Sequence, residues 1–180
     1  MSKTIVERFD DPTDHLYGLD NPERMRVLAS IDFDHPDLRT ALDAITARTA
    51  DRLGLPISLV TLVLDTAQIM PGAHGVNGWI AAAGGTPVEW SFCAHTVAAR
   101  RPYVITDAAA DPVHRGNPLV AIDGARSYAG VPLIIDGQVL GAHCVIGAVA
   151  HTFTDSDLAE LQAAAADISA VLQQHRLPLL

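Results

Sequence analysis

The 180-residue chain carries twelve lysine and arginine residues against twenty-one aspartate and glutamate, a formal net charge of -9, and 49% hydrophobic residues. That length and apolar content suit one compact domain with a short extension, whereas two domains would each be marginal. Apart from Lys3 every basic residue is an arginine scattered along the chain, so there is no basic stripe for nucleic acid, and an acidic surface is repelled by anionic lipid.

The first thirty residues hold Lys3, Glu7, Arg8, Asp10 and Asp11 in place of an apolar run. The two cysteines lie far apart, each in an apolar stretch, unlike a secreted disulfide framework. The chain reads as a soluble cytoplasmic protein with neither nucleic acid nor membrane as partner.

Residues 1–33 read as an N-terminal arm, in which turn formers (Asp11-Pro12, Gly18, Asn21-Pro22) surround a mixed segment from Glu23 to Ser30 that suits two helical turns. Residues 34–177 are the expected domain. From Asp37 to Leu53 the positions Leu38, Ala41, Leu42, Ile45 and Leu53 recur at helical spacing, with Asp34 as the expected cap and Gly54 and Pro56 as the stop. Ile57 to Leu64 is nearly all apolar, as in a strand covered on both faces, and Asp65-Thr66-Ala67 turns it toward a hairpin partner, Gln68–His74.

Gly75–Glu89 holds four glycines and a proline and reads as a loop carrying an exposed Trp79. Ser91 caps a helix over Phe92–Arg100, which Pro102 stops, and a short strand follows at Tyr103–Thr106. The stretch Asp107–Gly124, with Asp111-Pro112, Gly116-Asn117-Pro118 and Asp123-Gly124, is long enough to be a binding loop. Ser127–Ile135 and Gln138–Ile146 flank Asp136-Gly137, the pair a two-residue hairpin turn prefers. Phe153, Thr154 and Asp157 read as staple, cap and capping-box acid of a last helix to about Gln174. Its stripe Leu158, Leu161, Ala165, Ile168 and Leu172, widened by Ala164 and Val171, suits both its own domain and a partner helix.

This order predicts an α+β fold. The blocks Ser91-Phe92-Cys93-Ala94-His95, Asp107-Ala108-Ala109-Ala110-Asp111-Pro112, Asn117-Pro118-Leu119-Val120, Tyr128-Ala129-Gly130-Val131-Pro132-Leu133 and Leu140-Gly141 with Cys144-Val145-Ile146 resemble the GAF domains of bacterial sensory proteins, over roughly Asp37 to Leu172. The resemblance implies a PAS-related antiparallel sheet of five or six strands, the first and last helices on one face, and loops 75–90 and 107–125 roofing a ligand pocket on the other. It also implies signal transduction by small-molecule sensing without catalysis, through an output partner or a homodimer joined by the terminal helices. GAF domains take many ligands, so fold alone assigns neither cofactor nor ligand. Gly147 stands where an aspartate commonly closes the last strand, His143 replaces an apolar residue, and Ile69-Met70-Pro71 replaces an aromatic-rich stretch.

Trp79, Trp90, Phe92, Tyr103 and Tyr128 are the candidate pocket walls, with Asn117 in the long loop beside them and His95 as a polar wall residue. Arg126 is a candidate anchor for an anionic group, or else an ion-pair partner of Asp107 or Asp123. Cys93, in the first turn of its helix, is either a reactive thiol or a small core hydrophobe. The alternative function is therefore a thiol-dependent reductase of the free methionine sulfoxide type using Cys93, with Cys144 expected to need a movement to reach it. Cys93 and His95 point about 200° apart on a helix and His143 and Cys144 face opposite sides of a strand, so no metal site is expected.

Overall fold

The computed structural model describes residues 13–178; residues 1–12 of the arm lie outside the described residues. Among the described residues twelve α-helices and β-strands follow one another: α1 (Pro22–Ala29), α2 (Pro36–Leu53), β1 (Ile57–Val63), β2 (Ala67–His74), α3 (Gly78–Ala83), β3 (Gly85–Pro87), α4 (Phe92–Ala99), β4 (Tyr103–Ile105), α5 (Pro118–Ala121), β5 (Ser127–Ile135), β6 (Gln138–Gly147) and α6 (Asp155–Gln174). The strands form one antiparallel sheet in the order β3-β2-β1-β6-β5-β4. β1 and β6 lie at its centre, which is why both are apolar on both faces. Asp136 and Gly137 both take positive φ, 51° and 73°, the geometry of the primed hairpin turn that the Asp-Gly pair favours.

Alternation divides the sheet between two cores. Val60, Leu62, Val131, Leu133 and Val145 meet Leu38, Leu42, Leu161, Ile168 and Leu172 from α2 and α6, joined by Val27 and Leu28 of α1. Leu59, Val63, Cys144 and Tyr128 face Phe92, Cys93, Ala94 and Val97 of α4 on the other side. The apolar stripe of α6, from Leu158 to Leu172, packs into its own domain.

Three local expectations are corrected. Pro36 occupies the first helical position of α2, so the cap is His35, whose Nδ1 accepts from Asp37 N at 3.1 Å, and not Asp34. The segment 75–90 is more than a loop, because it folds into α3 and then adds β3 as an edge strand on β2. The long connection between β4 and β5 contains the one-turn helix α5, capped by Asn117 through a 2.9 Å bond from Leu119 N. The capping box of α6 forms as its sequence predicts, with Thr154 and Asp157 exchanging side-chain and backbone bonds.

Candidate functional site: a roofed cavity beside a buried thiol pair

The site is assembled from the start of α4. Ser91 Oγ accepts from Ala94 N at 3.0 Å and donates to Gln68 Oε1 at 2.5 Å, while Gln68 Nε2 donates to Thr86 Oγ1 at 3.2 Å. These bonds pin the N-terminus of α4 to β2 and β3, and Phe92 and Cys93 descend onto the sheet. At the next turn Thr96 shares a 2.8 Å hydroxyl bond with Tyr128 of β5. The phenol lies over Gly130, where any Cβ would collide with the hydroxyl, so the glycine two residues after Tyr128 makes room for its own neighbour.

Below this layer is a cavity of about 360 Å³, within the range of small-ligand sites. Its walls are chiefly apolar, including Ile57, Leu59, Met70, Val76, Ile80, Phe92, Leu119, Ala125, Tyr128 and Ile146. Polar groups enter from Gln68, Asn77, Thr86 and Asp123, and Cys93 completes part of the wall. Among the described residues its lining holds no arginine or lysine. The roof is tied shut on one side, where Trp79 Nε1 donates to Asp123 Oδ1 at 3.0 Å and the Trp79 ring meets Trp90 edge-on. Asn117 Nδ2 in turn donates to the Trp90 carbonyl at 3.1 Å.

Of the nine sequence candidates, the fold brings Phe92, Cys93 and Tyr128 together on this cavity. Trp79, Trp90 and Asn117 tie the roof without lining it. His95 leaves α4 on the other side, stacked between His15 (4.1 Å) and Tyr103 (5.1 Å) with His114 edge-on, against a second hollow of about 260 Å³. Burial, reinforced by His15 and His114, pushes His95 down to about 2, and burial pushes Tyr103 up to about 12. Arg126 forms a two-point ion pair with Asp107 at 2.9 and 3.0 Å and takes no part in the lining.

The wall residues Gln68, Met70, Val76, Ile80, Asp123 and Ala125 carry no sequence signal as ligand contacts. The alternation of Gln68 and Met70 along β2 puts them on one face, but only pairing shows which face has the cavity.

Cys93 and Cys144 are neighbours in the buried core. Their Sγ atoms are 3.7 Å apart, and Tyr128 Oη donates to Cys93 Sγ at 3.3 Å. Burial works against ionising Cys93, yet hydrogen bonds from Cys144, Thr61 and Tyr128 together outweigh it and hold this thiol below its ordinary value. Burial raises Cys144 well above the usual thiol range. On the opposite face His143 Nε2 meets Thr49 Oγ1 and its Nδ1 meets the Leu59 carbonyl, both at 2.9 Å. Desolvation lowers this histidine to about 4.

Because folding keeps His95 and His143 neutral below the pH at which the unfolded chain protonates them, their contribution is complete above pH 6.5 and is lost as pH falls. Urea titrations at pH 7 and pH 5 should differ by about 2 kcal/mol for each histidine, and His143→Gln should remove its share of that difference. Equal pH dependence in wild type and variant would show that His143 titrates normally.

The architecture defines an α+β domain of the kind that houses a small molecule between sheet and roof. The GAF domain family matches residues 37–172, and the chain belongs to that family. It is 32% identical over 106 residues to a cyclic di-GMP phosphodiesterase of Pseudomonas aeruginosa, an alignment covering 58% of this chain and 17% of that much longer protein. The fold resembles the GAF domain of an Acinetobacter phosphoenolpyruvate-protein phosphotransferase, with a TM-score of 0.63, 16% identity and coverage of 97% and 96% of the two chains. It equally resembles the free methionine-R-sulfoxide reductase of Neisseria meningitidis, with a TM-score of 0.62, 20% identity and coverage of 84% and 85%. At such identities the two structures speak for the fold alone. Among the described residues no helix is long and apolar enough to cross a membrane, and no group of three metal-ligating side chains is gathered.

Proposed function

We propose that this GAF domain is a non-catalytic sensor whose cavity takes a small, largely apolar molecule that is uncharged or cationic. The observation that carries this reading is the lining itself: apolar walls, a few hydrogen-bonding groups and the carboxylate of Asp123, with no cation among the described residues to meet a phosphate or carboxylate. Ligand entry loosens or re-forms the Trp79–Asp123 tie, and the altered roof shifts the population that the terminal helices present to an output protein or a second protomer. Since the large apolar residues of α6 are used inside its own domain, a second protomer would meet its small exposed residues, Ala163, Ala166 and Ala170.

A thermal-shift screen tests the ligand class. A molecule present at a hundred times its Kd adds about 2.7 kcal/mol and raises Tm by roughly 5–10 °C, a shift that Ala125→Trp, filling the wall, should abolish. Stabilisation by nucleotides or dicarboxylates instead of neutral and cationic compounds would overturn the assignment.

The second reading, a thiol-dependent reductase of free methionine sulfoxide, is favoured by the presence of Cys93 on the cavity wall. It requires turnover of methionine sulfoxide with a dithiol that Cys93→Ser abolishes; an inactive wild-type protein removes it.

A further inference from the structure

We infer that Cys93 and Cys144 form a redox-active dithiol, oxidised reversibly to a disulfide by small hydroperoxides that reach Cys93 through the cavity. The two lie fifty-one positions apart in sequence, and they belong to elements packed on each other, α4 and the central strand β6. A disulfide needs sulfur atoms about 2 Å apart, so the observed 3.7 Å leaves a closure of about 1.7 Å for two short side chains to share. The cavity beside Cys93 supplies the free volume for that movement. Two cysteines acting only as core hydrophobes would need neither a hydroxyl donor on one sulfur nor an open wall beside it.

The geometry also assigns the order of events. Cys93 lines the cavity and accepts from Tyr128, whereas Cys144 lies behind it and outside the lining. The Cys93 thiolate attacks the distal oxygen of the hydroperoxide, the O–O bond breaks, and the alkoxide leaves as alcohol after taking up a proton; for hydrogen peroxide the leaving group is water. Cys93 is then a sulfenic acid. The Cys144 sulfur attacks it, the S–O bond breaks, and hydroxide leaves as water with the Cys144 proton. Two thiols and one hydroperoxide thus give one disulfide, one alcohol and one water. An external dithiol restores the reduced pair by exchange. Closing the bond draws the first turn of α4 toward β6 and changes the wall that Cys93 and Phe92 present to the cavity.

The test uses the full chain with no ligand added, so its outcome is separate from that of the ligand screen. The reduced protein is exposed to hydrogen peroxide, unfolded in the presence of N-ethylmaleimide, and weighed intact. The expected result is loss of both maleimide adducts together with a Cys93–Cys144 cross-linked peptide, both reversed by dithiothreitol. Cys144→Ser and Cys144→Ala, checked for an unchanged far-ultraviolet spectrum, should stop at a Cys93 sulfenic acid that dimedone captures. Cys93→Ser should give neither a cross-link nor a dimedone adduct. Two adducts on the treated wild-type protein would overturn the inference, as would an intermolecular disulfide in place of the internal one, or dimedone on Cys144 in Cys93→Ser.

Discussion

Gly141→Ala is expected to destabilise the domain by about 4 kcal/mol or more, the upper end of single-residue effects. Gly141 faces Leu62 where the two central strands pair, and a Cβ there would overlap the Thr61 carbonyl and come within 2.9 Å of Leu62 Cα. Both obstacles are backbone, so relief requires β1 and β6 to separate at the middle of the sheet. Gly116→Ala is the control, since nothing lies within 4 Å of its added methyl and its φ is not positive. Urea melts should leave that variant within about 0.5 kcal/mol of wild type. A Gly141→Ala midpoint close to that of Gly116→Ala would show that the strands part more easily than this geometry allows.

Arg24→Met should cost about 3–5 kcal/mol, although methionine keeps an apolar stem in the same place. The Arg24 guanidinium is buried and donates to four carbonyls: Leu19 at 2.8 Å, Val139 at 2.8 Å, Leu140 at 3.1 Å, and Val63. Three of those acceptors sit where the β1–β6 ladder ends at Leu62–Gly141 and the β5–β6 register shifts between Leu133 and Ile134. Irregular pairing leaves carbonyls without ladder partners, and a five-donor fork is the side chain able to satisfy several at once. Burial lowers this guanidinium to about 10, partly offset by Asp65, which still leaves it charged at neutral pH. Methionine would strand the acceptors, whereas Arg24→Lys, with three donors, should fall between the two. Proteolysis within residues 13–35 should accelerate in Arg24→Met, because the same bonds hold the segment entering α1. A loss below about 1 kcal/mol would mean that water replaces the guanidinium at these carbonyls.

The functional reading depends on the same kind of long-range placement. In sequence Arg126 suits either a ligand anchor or an ion-pair partner, and its two-point pairing with Asp107 engages the guanidinium that a ligand anion would need. Among the described residues the cavity then keeps Asp123 as its charged wall residue, which supports a ligand that is not an anion. The relative that carries a cyclic di-GMP phosphodiesterase name shares only a small part of its length with this chain, so its activity gives no reason to expect the same chemistry here.

Eight elements, α2, β1, β2, α4, β4, β5, β6 and α6, and their order are legible in the sequence by itself because their signals are local, whereas α3, β3 and α5 lie in stretches that read as loops. Thr154 with Asp157 starts α6, Ser91 starts α4, Asp136-Gly137 turns the hairpin, and two-sided apolar runs mark the central strands. These depend on residues adjacent or a few positions apart, which meet in any chain that forms the element. The tertiary structure alone decided that His95 turns away from the cavity, that Arg24 clamps the sheet, and that Cys144 reaches within 3.7 Å of Cys93. Such contacts depend on strand register and on the rotation of α4 over the sheet, both set by packing between segments that no local pattern connects.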